Sequence, residues 1–381
     1  MSLYITHSEG ATMKIDPLNI TFTPLPGSTL SNIMRLLVQN RFRVSIIGIP
    51  RMLYSLFMSA ALSPLALSER MKFDKHINAT RLEPHPVFII GHWRSGTTYL
   101  HNLMSQDPRY AYPTTFQTVV PAVFLRFEKW IKPIVEASLP PTRPEDNVPL
   151  GADLPQEEEY AMGNLCPYSF YNAWCFPRNM EFYYRFVCME DVSRRVIEEW
   201  KEMYLYYLRK VAFAGNGKQL LLKNPANTAR IKLLLEFFPD AKFIHIYRNP
   251  YHVFLSMKRD IESEMSLYCV QKPKDDDTIE RAMVDLYNHM FVKYFRERNL
   301  IPEGNLVEVK YEDFIASPLD EVKRIYRTLG IQGFDGVEQK FIQYIAAQSA
   351  IKPHTYTFDE QLKEKIYRYF KFTIDKWEYD V

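Results

Sequence analysis

Residues 87–104 read VFIIGHWRSGTTYLHNLM: a run of branched and aromatic residues, then Gly91 and Gly96, then paired threonines, then Leu100, Leu103 and Met104 at helical spacing. A buried strand must therefore pass into a helix through a loop tight enough to need glycine. Such a turn lets successive backbone N–H groups converge on an anion, and the helix N-terminus adds its positive end. Ser95, Thr97 and Thr98 place hydroxyl donors in the same concavity. A phosphate-binding loop of this kind needs a sheet to hold it.

The rest of the chain supplies one. Leu220–Lys223 (LLLK), Phe243–Tyr247 (FIHIY) and Leu306–Lys310 (LVEVK) are short runs rich in branched residues, each followed by a helical pattern. Strand then helix, repeated, predicts an α/β P-loop nucleotide-binding fold with a central, mostly parallel sheet flanked by helices. Ser317 and Pro318 open a helix carried by Leu319, Val322, Ile325, Tyr326 and Leu329 until Gly330; Pro250 opens another through Val253, Phe254 and Met257. Well over a hundred residues separate the first two strands, and 110–182 is dense in Pro, Tyr, Phe and Trp. A helical insertion over about 110–215 that binds an acceptor is expected, with a long helix at 191–213. The charged stretch 262–278 reads as a lid loop. Residues 81–381 are expected to form a single domain, and 1–80 a helical segment packed on that core or on a membrane surface.

With 47 basic and 45 acidic residues among 381, the net charge of +2 creates no global field for nucleic acid. Any anion site must be local. Cys166, Cys175, Cys188 and Cys269 lack metal-site spacing and read as reduced thiols, and no signal-like N-terminus is visible, so a cytoplasmic location is expected. The apolar stretch Met52–Leu67 is sixteen residues long and contains Pro64, short of the ~20 residues needed to span a bilayer. Preceded by Arg35, Arg41, Arg43 and Arg51, it is either a buried helix or part of a basic segment over 29–67 that contacts a membrane peripherally.

A kinase with this loop needs Lys where Thr97 stands and an acid at a neighbouring strand end for magnesium. The cations here are Arg94, before the Ser-Gly, and Arg248, where the strand FIHIY ends. That pattern suits a donor handled without a metal. Arg248-Asn-Pro begins a helix with Ser256 two turns along it, an arrangement suited to a second phosphate monoester. Two phosphate sites on one nucleotide point to a 3′,5′-bisphosphate.

RSGTT after a strand, LLLKNP on the second and YRNPYHVFLS on the third together resemble the sulfotransferases that use 3′-phosphoadenosine 5′-phosphosulfate (PAPS), in particular microbial members, over roughly 86–329. The resemblance implies transfer of a sulfuryl group from PAPS to a hydroxyl, with PAP released and no metal. It assigns Arg94, Ser95, Gly96, Thr97 and Thr98, with Tyr99 beside them, to the 5′-phosphosulfate, Arg248 and Ser256 to the 3′-phosphate, and Tyr311 to the adenine. Lys223 matches the lysine that steadies charge on the bridging oxygen. Lys352, in IKPHTY, corresponds to the C-terminal basic residues that reach the nucleotide in relatives.

The general base departs from the pattern. Pro225 stands where cytosolic small-molecule members carry histidine, and the stretch YPTTFQ at 112–117 lacks the acid of tyrosylprotein members. In DLPQEEEYA, Glu157 and Glu159 resemble the P-Q-E-x-E segment of microbial members, although three consecutive acids equally describe a solvated helix face. His101 is an alternative base, or packing. The aromatic insertion favours a hydrophobic alcohol such as a sterol or lipid, with a carbohydrate hydroxyl close behind. The competing readings are a kinase-type phosphotransferase using magnesium and ATP, and a non-catalytic nucleotide-binding scaffold.

Overall fold

The structure is a computed structural model that describes residues 23–143, 148–348 and 356–380. Five strands, β1 (Val87–Ile90), β2 (Tyr110–Ala111), β3 (Gln219–Lys223), β4 (Lys242–Tyr247) and β5 (Leu306–Lys310), form a sheet in the order β2-β3-β1-β4-β5. Every pairing is parallel. The four expected strands are present; β2, two residues long, was too short to show a pattern.

All four residues of β1 are buried, because helices cover both faces of the sheet. Val87 and Ile89 join one apolar cluster with Leu221, Ile244 and Val309, while Phe88 and Ile90 join the other with Leu222 and Phe243. Register then decides the chemistry. Ile89 lies opposite both Lys223 and Ile244, so the lysine at the end of β3 sits beside the start of the loop that leaves β1. In parallel sheets the crevice outside the carboxyl ends, where the chain leaves a central strand in opposite directions, is where ligands bind.

The helices relevant to function begin with α1 (Leu30–Gln39), α2 (Ile49–Ala79) and α3 (Thr97–Met104). Helix Arg194–Ala214 fulfils the expected long helix, capped by Ser193, and Pro318–Thr328 follows its proline as expected. The four cysteines are free and buried.

Two expectations are corrected. The stretch 262–278 is not a lid loop: helix Pro250–Tyr268 runs through its first half, and helix Asp276–Glu297 begins at its end. Arg51 donates to the Cys269 and Ser266 carbonyls at 2.8 and 3.0 Å, satisfying groups a helix C-terminus leaves open, and Asp275 caps the next helix. The apolar stretch is likewise only part of α2, a 31-residue helix that continues through Pro64. By length and composition, Ile46–Ala79 would suffice to cross a membrane, so shortness does not exclude a span. Nor is α2 a buried core helix, since Leu53 and Phe57 are 61% and 68% exposed.

Candidate active site

The loop after β1 closes because two of its positions tolerate no side chain. Gly91 has φ +144° and a Cβ there would lie 2.1 Å from the Ile246 carbonyl oxygen; Gly96, at φ +90°, would drive one to 2.4 Å from the Tyr311 ring. Tight apposition to β4 and to the residue after β5 is thereby built into the loop. Thr228 accepts the Gly91 N–H at 2.7 Å, and Gly96 leads directly into α3. Ser95 and Thr97 are buried, and Thr98 is half-buried.

On one side of the loop the expected nucleotide residues converge. Arg94 donates from Nε to Ser256 Oγ at 2.9 Å and from Nη1 to Asp260 at 3.4 Å. Arg248 donates to the Arg94 carbonyl at 3.0 Å, and its guanidinium lies 4.4 Å from the centre of the Tyr311 ring. Arg248 thus touches the backbone of the residue whose side chain reaches Ser256. The sequence grouping put Arg94 with the 5′ end of the nucleotide, whereas its side chain in the structure points at Ser256. Tyr99 packs against Phe314 and Tyr344, ring centres 5.1 and 6.2 Å away, so it supports the helix start rather than lining the loop. Lys352 lies outside the described residues.

On the other side stands Lys223, 1% exposed rather than a surface lysine at a strand end. Its ammonium donates to Glu157, and approaches the Thr98 hydroxyl at 3.4 Å. Burial pulls its proton affinity below the ordinary lysine value while the Glu157 carboxylate opposes that pull. Tyr171 donates its hydroxyl to the second oxygen of Glu157. Burial, then the Glu157 charge, holds that phenol well above its usual range.

The three consecutive glutamates are not a solvated helix face. All are buried, because helix Glu158–Leu165 starts with its first turn wedged between the end of β3 and helix Arg194–Ala214. Successive residues on a helix point about 100° apart, so each acid meets a different partner. Glu158 accepts from Tyr204 at 3.0 Å and Asn227 at 2.8 Å, and burial, augmented by its neighbours' charges, pushes it up to about 7. Glu159 takes Arg230 at 2.7 and 3.3 Å and Asn224 at 2.8 Å. Burial alone would raise Glu159, but Arg230 and Asn224 together hold it below the usual carboxylate range. Only Glu157 faces Lys223.

His101 lies on the buried side of α3 at 0% exposure. Burial and then the Lys223 charge push its pKa down to about 3, so the imidazole is neutral. His92 is similarly held at about 4, with Nδ1 at the Trp93 carbonyl and its ring against Tyr287.

A cavity of about 110 Å³ is lined by Thr115, Arg143, Gln156, Tyr160, Glu264 and Tyr268, among others, with Gln156 the sequence neighbour of Glu157. Tyr160, which lines it, stacks on Tyr171 at 4.2 Å, and Tyr171 packs in turn against Phe170 and Trp174. Sequence reading missed Asp260, Tyr171 and Arg143. Asp260 one turn after Ser256 was the one legible signal; the others reach the site only through the packing of the insertion.

The model of the sulfotransferase family matches residues 86–336. Two relatives named omega-hydroxy-beta-dihydromenaquinone-9 sulfotransferase Stf3, from Mycobacterium bovis and Mycobacterium tuberculosis, are each 32% identical over 354 residues, covering 93% of this chain and 90% of theirs. Sulfotransferase STF9 from Mycobacterium avium superposes with a TM-score of 0.67 at 17% identity, covering 98% of this chain and 99% of its own. STF1 from Mycobacterium tuberculosis gives 0.63 at 17%, over 91% and 93%. The strand-loop-helix at Gly91–Thr98, the sheet it stands on and the match along most of the chain converge on one conclusion: the protein belongs to the sulfotransferase family.

Proposed function

We propose that this enzyme transfers the sulfuryl group of PAPS to the hydroxyl of a lipid-like alcohol and releases PAP. One observation carries the reading: Lys223 and Glu157 are buried in contact beside Thr98 of the phosphate loop, and Gln156, the neighbour of Glu157, lines a cavity. The relatives named for an omega-hydroxy dihydromenaquinone favour a lipid alcohol over a sugar.

In this reading the loop N–H groups and the Thr97 and Thr98 hydroxyls hold the 5′-phosphosulfate, while Arg94, Arg248 and Ser256 hold the 3′-phosphate, with Tyr311 beside the adenine. Glu157 takes the acceptor proton as the acceptor oxygen forms its bond to sulfur. Lys223 turns from Glu157 towards the bridging oxygen whose bond to sulfur breaks, and neutralises the charge that leaves with PAP. The same ammonium therefore masks the base before the donor arrives and frees it afterwards. Glu159, held by Arg230, anchors the helix that presents Glu157. The buried neutral imidazole of His101 packs behind Lys223 and takes no proton.

Incubation with labelled PAPS beside a lipid extract and a glycan extract tests both halves of the reading. Label in the lipid fraction is expected; label only in the glycan fraction ends the lipid assignment, and no label in either with PAP still bound ends the catalytic one.

A further inference from the structure

Helix α2 packs on the domain with a mixed face and turns a continuous apolar row outward. Its inward face buries Met52 and Ile77 together with the polar Arg51, Ser55, Ser59 and Glu69. Its outward face carries Leu53, Phe57, Ala60, Pro64, Leu67 and Met71, at alternating spacings of four and three, and every one is exposed. Ile46 and Ile47, just before the helix, extend this row and are also exposed. Between Val44 and Ser68 the only charged residue is the buried Arg51. An uninterrupted apolar stripe of this length on a monomer surface marks an interaction site.

The inward polar groups hold the helix flat against the domain. Arg51 is bonded to the end of helix Pro250–Tyr268, Glu69 is paired with Lys210, and Ser59 donates to the Ser28 carbonyl. Turning α2 upright through a bilayer would strip these partners and expose Arg51 and Glu69 to hydrocarbon. The helix is therefore built to lie in a surface rather than to pierce it.

Charge identifies the surface. Exposed Arg41, Arg43, Arg178 and Lys272 gather at the N-terminal end of the stripe, joined through Gln271, which donates to the Arg43 carbonyl at 2.7 Å and accepts from the Arg178 N–H at 3.1 Å. Exposed Arg70, Lys72 and Lys75 stand at the other end. Pairing two copies antiparallel through this face would set cation cluster against cation cluster, which opposes self-association. An apolar row flanked by cations instead suits acyl chains beneath anionic headgroups.

The same elements wall the acceptor cavity. Thr23 and Pro24 line it and continue into the turn Leu25–Gly27 that packs on α2. Helix Phe124–Ser138 contributes Val135 and Ser138 to the cavity while presenting exposed Trp130 and Ile134 outside, and its Arg126 N–H donates to Glu69 at 2.8 Å.

We propose that α2, with the basic segment before it, docks this enzyme on an anionic lipid bilayer, in the plane of the surface, so that a lipid alcohol enters the cavity from the membrane. The docking stands on the surface itself; only the entry of the acceptor rests on the lipid-alcohol reading.

Flotation of the full chain with vesicles tests it, using phosphatidylcholine alone and phosphatidylcholine mixed with phosphatidylglycerol. The protein is expected to float with the anionic vesicles and to lose most of that binding at high salt. The double variant Leu53→Glu/Phe57→Glu removes two exposed side chains and should bind vesicles roughly ten- to a hundredfold more weakly. Arg41→Glu/Arg43→Glu should weaken binding only where phosphatidylglycerol is present. Calorimetric binding of PAP is the folding control and should be unchanged in both. Wild-type protein that stays in solution with both vesicle types overturns the proposal, as does equal flotation of the Leu53/Phe57 variant. A wild-type dimer that the Leu53/Phe57 variant turns into a monomer, without vesicle binding, assigns the face to a second copy instead and also overturns it. Flotation without label in any lipid would leave docking intact and sink the lipid-alcohol reading alone.

Discussion

Arg94 and Ser256, one on the loop after β1 and the other on the helix after β4, are joined by a 2.9 Å hydrogen bond from Nε to Oγ. In the proposed function the Arg94 side chain therefore acts with Ser256 and Arg248 on one phosphate, even though the loop that carries it curls around the other end of the expected nucleotide. Arg94→Ala should weaken PAP binding by about 1.5–3 kcal/mol, the worth of a hydrogen bond to a charged group, and Ser256→Ala by about 1 kcal/mol. Because the two residues share a partner, the double variant should lose less than the sum. Calorimetric titration of PAP into the four proteins measures this; strict additivity would mean that the pair does not act on one phosphate.

Lys223→Met should lower kcat about a hundredfold or more while leaving PAP binding largely intact, because in the proposed function its ammonium acts where charge grows during transfer. It should also destabilise the fold by about 3–5 kcal/mol, since Glu157 is left buried without its cation. Adding Glu157→Gln should restore the melting temperature without restoring turnover. Recovery of turnover together with stability would show that the pair is structural only.

Glu157→Gln and His101→Gln separate the two candidate bases. Glu157→Gln is expected to cost about a hundredfold in kcat, within the range of general-base removal, with PAP binding unchanged. His101→Gln should leave kcat within a few-fold of wild type, because a buried imidazole with a pKa of about 3 packs in the core and takes no part in proton transfer near neutrality. The opposite pattern would transfer the role to His101.

Glu158 makes a prediction about stability rather than rate. Its folded pKa, pushed up to about 7, exceeds the ordinary value of 4.5, so the folded state holds a proton that the unfolded chain has released between those values. The associated stability is fully present below pH 4.5 and is lost as pH rises through about 7. Glu158→Gln, which keeps an acceptor for Tyr204 and Asn227, should remove this dependence and stabilise the protein by a few kcal/mol above neutrality. Urea unfolding of both proteins on either side of neutral pH checks it; parallel curves would place the carboxylate in its ionised form throughout.

Glu159 has the opposite sign. Its folded pKa lies below the usual value, so its contribution is present above the unfolded pKa and disappears as pH falls through the folded one. Glu159→Gln leaves Arg230 buried against a neutral partner and should lower the melting temperature sharply, by about 3–5 kcal/mol in free energy. A small change in melting temperature would show that the Phe186 carbonyl, which also accepts from Arg230 at 2.7 Å, is partner enough.

The loop at Gly91–Thr98, the four longer strands and the helices opening at Pro250 and Pro318 were legible in the chain because each is dictated by neighbours in sequence: glycine for a left-handed turn, branched residues for a doubly covered strand, proline for a first helical turn. The family motifs were legible for the same reason. The stretch 262–278 was misread because charge density does not report that Arg51, more than two hundred positions away, finishes one helix and allows the next to start. Which glutamate of three meets Lys223 was equally closed to a linear reading, since all three are the same residue and only the wedge between β3 and helix Arg194–Ala214 sorts them. Helix α2 makes the point most directly. Composition located its apolar residues but not their sides: the domain took Met52 and Ile77 along with the polar Arg51, Ser55, Ser59 and Glu69, and left Leu53, Phe57, Leu67 and Met71 to solvent. The turn of the phosphate loop and the identity of the strands were written into the chain, because those preferences act over a few residues. Only the tertiary structure decided partners and exposure, because both depend on which surfaces the folded chain brings into contact.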